Sequence, residues 1–545
     1  MPVALQRLCI HFRIRCGYVP IGVLPGAGMR FWFWICLVAS VIASQACLWW
    51  TQLPLGIPGE WTWSRVDREP DVVWNMVGAV VAALLYVGLV AAGARRLSRS
   101  AGRPTTRLEV SAWLMGLVAA SFAWLWVVQE LAPIKNRLGK AAFVLYYPSS
   151  SGYFTKARYE SPDAKTFLAG YEDLMRQRDV LHVGTHPPGL FLVFHGLIEA
   201  CQKLPLLTAF LDATQPASFT EACDVIANNT AKSVLPRPLL GPDRRVLWLA
   251  TLLVMGAASL AVLPLYGLMR RSIDLVSAWR AVALWPALPA IAIFTPKSDV
   301  AYALVGLLMV YAWLTAVDRR SAWLALIAGV LVWSGLLMSL AFLPVVLFMV
   351  IMGGIDSGPA AIGGGPTTDP RPHRLWLTRM PPMACLFGGA VGFFVPTLIL
   401  GLSCHINLLT VWLLNYQNHA GFYAQYARTY WMWLLVNPLE LVFAAGCPLA
   451  VLAMGTLLGG LRSRQWPPIA IAVIVVWGSL WLTGKNSGEA ARLWILFLPW
   501  LVWLGSSMLT ELDRTGTRKW FRPSVAILII QLAICALTVA RVSGF

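Results

Sequence analysis

The chain has 545 residues, 58% of them hydrophobic and only 12% charged, about half the ~25% charged content of soluble domains. Its mean hydropathy is +0.66. These figures exclude a soluble multidomain enzyme, a disordered chain and a collagen-like chain, and they leave an all-α polytopic membrane protein. Lysine and arginine number 43 against 25 acidic residues, a net charge of +18. There is no basic aromatic stripe and no nucleic-acid motif. The excess therefore reads as loop charge that orients helices and meets lipid, and no nucleic-acid partner is expected.

A spanning helix needs about 20 mostly apolar residues. The first candidate, 31–51, follows a long basic arm and lacks a small-residue cleavage site, so it reads as a span rather than a cleavable signal. Further candidates are 72–94, 108–131, 245–268, the pair 279–295 and 299–317, the short pair 321–337 and 339–354, then 381–403, 432–460, the pair 467–484 and 492–510, and 523–541. The total is about thirteen. One stretch, 187–204, is shorter and more polar; it follows two prolines and carries His195 and Glu199.

Loop charge sets the orientation. The arm with Arg7, Arg13, Arg15 and Arg30 is expected inside, as is the loop with Arg95, Arg96, Arg99, Arg103 and Arg107. Helix three then delivers the chain outside near Glu130. If 187–204 lies on the interface rather than spanning, every later basic loop falls inside. These loops hold Arg270, Arg271 and Arg280, then Arg319 and Arg320, Arg371, Arg374 and Arg379, Arg462 and Arg464, and finally Arg514, Arg518, Lys519 and Arg522. The reading leaves one large outer segment, 132–244. Smaller outer loops are 52–71, 296–298, 404–431 and 485–491, and a Gly/Pro-rich cytoplasmic linker covers 355–380. Cysteines are scattered without metal spacing. Cys201 and Cys223 both fall outside and are a candidate disulfide.

Polar groups in a membrane protein are hidden unless used, and the unusual ones here gather on the outer face. The large outer segment holds Glu160, Asp163, Glu172, Asp173, Asp179, His182 and His186. A carboxylate there can take the proton of a hydroxyl nucleophile, or simply lie on a solvated helix over 163–178. In THPPG, residues 185–189, the prolines hold Thr185 and His186 extended at a helix start. In GKNSGEAARLW, residues 484–494, Arg492 lies almost inside an apolar run. It needs Glu489 or a phosphate as partner, and Lys485 with it makes a phosphate clamp; the plain alternative is snorkelling. In the aromatic loop 415–433, Tyr416, Phe422, Tyr423, Tyr426, Tyr430 and Trp431 suit a sugar ring or lipid head, or an interfacial belt. The turn TPKSD, 295–299, carries Lys297 and Asp299, the latter read as a helix cap. There is no Walker A, no GxGxxG with a nucleotide-type acid, no HExxH and no GxSxG.

The order of these parts resembles the GT-C superfamily of polytopic glycosyltransferases. The type is that of protein O-mannosyltransferases and aminoarabinose transferases. GYFTKA stands in an outer loop, THPPG opens an interfacial helix, YGLMRR (266–271) ends a span, TPKSD turns a hairpin, and SGEAARLW comes late. The likeness covers roughly residues 108–510 as the catalytic core. Residues 1–107 would be an N-terminal addition of two helices, and 511–545 hold the last helix. The resemblance implies a polyprenyl-phosphate sugar donor and transfer outside the cytoplasm to a protein, lipid or glycan acceptor. It also implies an acid before GYFTKA acting as base or holding a divalent cation. That place holds Ser149, Ser150 and Ser151, so Glu160 or Asp163 is expected to take the role, with Glu130 or another acid as alternatives. Phosphate binding carries over to Arg492, with Lys485 as helper, and His186 matches the HPP position; Glu489 and Tyr423 join them as expected substrate- or lipid-phosphate-binding residues. Rival readings are a transporter or flippase for lipid-linked sugars, a glycan polymerase and a silent scaffold. Short loops and the absence of targeting signals point to a bacterial inner membrane.

Overall fold

The computed structural model describes residues 27–67, 69, 72–98, 106–161, 163–180, 182–231, 237–354, 381–515 and 522–544. The linker 355–380 lies outside them, as do Arg7, Arg13, Arg15, Arg99, Arg103, Arg371, Arg374, Arg379, Arg518 and Lys519 and the side chains of Arg30 and His182.

The architecture is all-helical apart from one small sheet. Among the described residues seven helices are long and apolar enough to cross a membrane, nine if each of two bent pairs is one span. Their burial sorts them into layers. The Met383–Cys404 helix shows Phe387, Leu398 and Leu402 to the outside at 61–79% exposure. Large apolar side chains in that number are stable only against lipid. Ile495–Thr515 is its opposite, 83% buried at the centre. Helices Ala322–Met338 and Met383–Cys404 meet backbone to backbone. A Cβ on Gly392 would stand 2.1 Å from the Leu326 carbonyl, and one on Gly388 2.3 Å from that of Ala322. This is the small-xxx-small packing that replaces the hydrophobic effect in lipid.

Two expected spans are broken, and each break has a cause. The stretch expected as a helix over 279–295 is instead Leu275–Val282, a 3-10 turn Trp285–Ala287 and Pro289–Phe294. Pro286 and Pro289 remove donors and free carbonyls. Irregular backbone survives at membrane depth only when buried in protein and satisfied. Here residues 280–296 are buried throughout, and side chains take the freed carbonyls. Tyr86 donates to Ala283 at 3.0 Å, Gln531 to Ala287 at 3.1 Å, and Lys140 Nζ to Ala292 at 2.8 Å and Ile293 at 3.1 Å. The second stretch, expected as one helix over 432–460, is Tyr430–Ala445 and Cys447–Ser463, bent by 116°. Gly446 at the corner has φ +83°, and Gln531 Nε2 donates to the last freed carbonyl, Ala445, at 2.8 Å. One amide thus serves both breaks.

Three further expectations change. Part of the outer loop 404–431 is a helix, Leu408–Gln425, capped by Asn407. Residues 163–178 form two short helices, Ala164–Ala169 and Tyr171–Arg176, turning at Gly170. The helix expected over 187–204 is there as Gly189–Lys203, followed across a 101° bend by Pro205–Thr214. Cys201 and Cys223, on the Gly189–Lys203 and Ala217–Thr230 helices, are free thiols.

Between the first two helices lies a hairpin, β1 (Leu55–Ile57) and β2 (Trp61–Arg65), and β3 (Val542–Ser543) near the C-terminus pairs with β2. The alternation in WTWSR is the period of a half-buried strand. The sheet joins the 55–65 hairpin to β3, and the outer segment is tied to the β3 end: Asn136 Nδ2 donates to the carbonyls of Val539 at 2.7 Å and Val542 at 2.8 Å.

Candidate functional site

The site is built around the loop from Gly484 to Leu493. Gly484, Asn486 and Gly488 all have positive φ. At Gly488 the tight turn packs against Trp61 and Trp433, where a Cβ would meet the Trp61 Cβ at 3.1 Å and the Trp433 ring at 3.2 Å. Tyr423 OH accepts from Asn486 N at 2.8 Å, pinning the loop to the Leu408–Gln425 helix. The turn brings Glu489 and Arg492 together at 3.0 Å. Arg492 Nε is buried with no hydrogen-bond partner.

Arg492 has electrostatic neighbours from three other elements: Asp299, Tyr153 and Glu440, besides Glu489. Lys297, 8% exposed, joins the same group and donates from Nζ to the Ser150 carbonyl. Burial, with Arg492 beside it, pushes Lys297 down to about 7. Asp299, read from sequence as a cap, stands in the first helical turn, where its carboxyl meets its own backbone N–H. The residue in the capping position is Lys297, without a side-chain cap bond, and Asp299 lies with Arg492, Lys297 and Glu489. The arrangement is two cations and three acids, Lys297 buried and the other four partly buried, where charge is felt more strongly than in open water.

His186 stands one ring away. Its imidazole meets Tyr153 edge-on at 5.6 Å, and Nδ1 lies 3.1 Å from Thr185 Oγ1. Its carbonyl accepts from Tyr171 OH at 2.7 Å and Asn415 Nδ2 at 3.2 Å. Asn415 and Asn418 both also donate to Gly184, at 2.9 Å each. The THPPG turn is therefore held from two sides.

The other residues singled out from sequence have these places. Asp163 caps the Ala164–Ala169 helix, Oδ1 accepting from Thr166 N at 2.8 Å; that bond holds its carboxyl below the usual range. Glu160 is exposed and paired with Lys156 at 2.6 Å. Glu130 accepts from Leu138 N at 3.0 Å and Ser218 Oγ at 2.7 Å. Lys485 lies 5.4 Å over the Tyr416 ring, at the rim near His419. Where the resemblance implies an acid, Ser150 offers its carbonyl to Lys297, and Ser151 Oγ is buried without a hydrogen-bond partner. Among the described residues no three His, Cys, Asp or Glu side chains are grouped to hold a metal ion. The donor set does not fit the divalent cation that the resemblance implies.

Sequence reasoning missed Glu440 and underrated Lys297 and Asp299. The signal for Glu440 was present: a lone acid in the apolar run WLLVNPLELVF, which membrane proteins retain only for use. Trp63, which donates to Glu440 at 3.1 Å, and Glu60, which accepts from Trp433 at 2.7 Å, carried no such signal, since their partners are hundreds of residues away. Compared with known proteins, the chain matches no family model, no curated protein and no solved structure.

Proposed function

We propose that this chain is a multi-pass membrane glycosyltransferase that moves a sugar from a polyprenyl-phosphate donor to an acceptor at the extracytoplasmic face. The observation that carries the reading is the charged group of buried Lys297 with partly buried Arg492 and Asp299, joined by Glu489, which pairs with Arg492 at 3.0 Å. The acceptor hydroxyl attacks the anomeric carbon, the bond from that carbon to the phosphate oxygen breaks, and polyprenyl phosphate leaves with the electron pair. Arg492 and Lys297 stabilise the charge that grows on the phosphate. Asp299 accepts the hydroxyl proton; Asp163 and Glu160 serve their local helix cap and ion pair. His186 lines the approach through Tyr153, and Lys485 and Tyr423 hold the rim with Tyr416.

The topology belongs to the same proposal. We count the thirteen as the seven long helices, the four shorter apolar helices, the bent pair 430–463 and the buried broken stretch 275–294, which runs from Arg280, paired with Asp513 at 2.7 Å, to the Lys297 turn. The outer face holds 132–244, in a bacterial inner membrane.

A second reading, a transporter of lipid-linked sugars, draws support from the two broken helices joined by Gln531, because transporters build their sites from discontinuous helices. One experiment separates the two. Purified protein receives a radiolabelled polyprenyl-phosphate sugar pool and a membrane extract as acceptor. Label passing to acceptor with release of polyprenyl phosphate, lost in Arg492→Ala, supports the transferase. No label transfer in detergent, together with movement of the intact lipid across proteoliposomes, overturns it in favour of the transporter.

A further inference from the structure

The hairpin between the first two helices reaches the loop that bears Arg492, although it lies outside the core that the resemblance covers. Trp63 Nε1 on β2 donates to Glu440 Oε1 at 3.1 Å, while its ring meets Phe294 edge-on at 5.7 Å. The Tyr430–Ala445 helix packs on the short helix Ala490–Leu493, which brings the Glu440 carboxyl near the backbone N–H groups of Ala490 and Ala491, the two residues between Glu489 and Arg492. Its second oxygen, Oε2, is buried with no hydrogen-bond partner. Glu60 at the hairpin tip fixes the same wall. It accepts from Thr429 N at 2.9 Å, Thr429 Oγ1 at 2.5 Å and Trp433 Nε1 at 2.7 Å. Trp61 closes against Gly488. The helix carrying Glu440 is thus anchored at both levels by the hairpin.

A carboxyl in an apolar helix is costly to hold, and a polar partner from a remote element is kept where it fixes geometry. We infer that Glu440 is a positioning residue for Arg492, and that Trp63 of the N-terminal hairpin holds Glu440 in place. The indole restricts the carboxyl, the carboxyl lies near the two N–H groups of the turn, and the turn sets the direction of the guanidinium. The first two helices are on this view part of the phosphate-binding apparatus. The inference rests on the phosphate role of Arg492 proposed above.

The test uses the full chain in detergent and two probes, farnesyl phosphate and farnesol. The ratio of their affinities isolates the phosphate contact from the lipid groove. Trp63→Phe keeps the ring and deletes the donor; Glu440→Leu deletes the acceptor; Glu440→Gln keeps an acceptor of the same shape. The expected result is a ratio about tenfold lower in Trp63→Phe and Glu440→Leu, the loss of about one hydrogen bond. Farnesol affinity stays unchanged and most of the ratio is kept in Glu440→Gln. A change in both affinities together means general loosening and overturns the inference. So does an unchanged ratio in Trp63→Phe when Arg492→Ala collapses it, with the phosphate role left standing. An unchanged ratio in Arg492→Ala removes the phosphate role itself, and the inference with it. If Glu440→Leu does not fold, Trp63→Phe decides alone.

Discussion

Lys140 offers a test of the broken segment that needs no substrate. It is 7% exposed, and Nζ donates to the carbonyls of Ala292 and Ile293, which the proline-interrupted helix leaves free. Burial pushes its amine down from 10.5 to about 7. In the unfolded chain the amine keeps its ordinary value, so between those two values the unfolded state holds more protons than the folded one. Stability therefore rises with pH across that window. Between about pH 6.5 and about pH 9.5 the gain is about 3 kcal/mol, from a two-state proton count at ~1.4 kcal/mol per pH unit. Lys140→Met fills the same space without a titrating group. The 27 tryptophans provide the fluorescence signal for thermal melts in detergent. The wild-type midpoint should gain on that of the variant as pH rises, with the variant relatively better at the acid end. A difference that is flat, or that falls with pH, refutes the placement of a buried amine against those carbonyls.

Other outcomes follow from named contacts. Arg492→Ala should lower sugar transfer by a factor of about 10²–10³, the usual effect of removing one donor to developing charge, with Arg492→Lys intermediate; initial rates measure it. Asp299→Asn should cut the rate while donor-lipid affinity holds, as saturation kinetics would report. Asp243 is 1% exposed and accepts from Arg158 at 2.8 Å and Tyr159 OH at 2.9 Å, tying the outer segment to the Gly241–Leu260 helix. Asp243→Ala should cost about 3 kcal/mol, the low end for a broken buried pair because Arg158 stays 29% exposed. A thermal midpoint equal to wild type would contradict it. Gly446→Ala places a methyl 2.3 Å from Gln531 Nε2 at φ +83°. It should lower the midpoint by more than Gly256→Ala, whose new methyl meets open space.

Much of this protein is legible without coordinates, because the bilayer imposes a one-dimensional rule. Length and apolarity of each run are enough to find the Arg107–Glu130, Ser298–Arg319 and Met383–Cys404 helices within a few residues. Local chemistry also shows in the sequence: prolines open the helix after His186, and Glu489 and Arg492 pair at i, i+3. What sequence does not contain is the partner of a buried polar group. Proline in 279–295 signals lost hydrogen bonds, but only packing supplies Tyr86, Gln531 and Lys140 to replace them. The same holds for the site. Asp163 and Asp299 are each an acid near a helix start, and sequence ranks the first above the second. Folding makes Asp163 a cap and brings Asp299 within electrostatic reach of Arg492, because a cap is settled within one turn of chain whereas a charge cluster is settled by elements nearly two hundred residues apart.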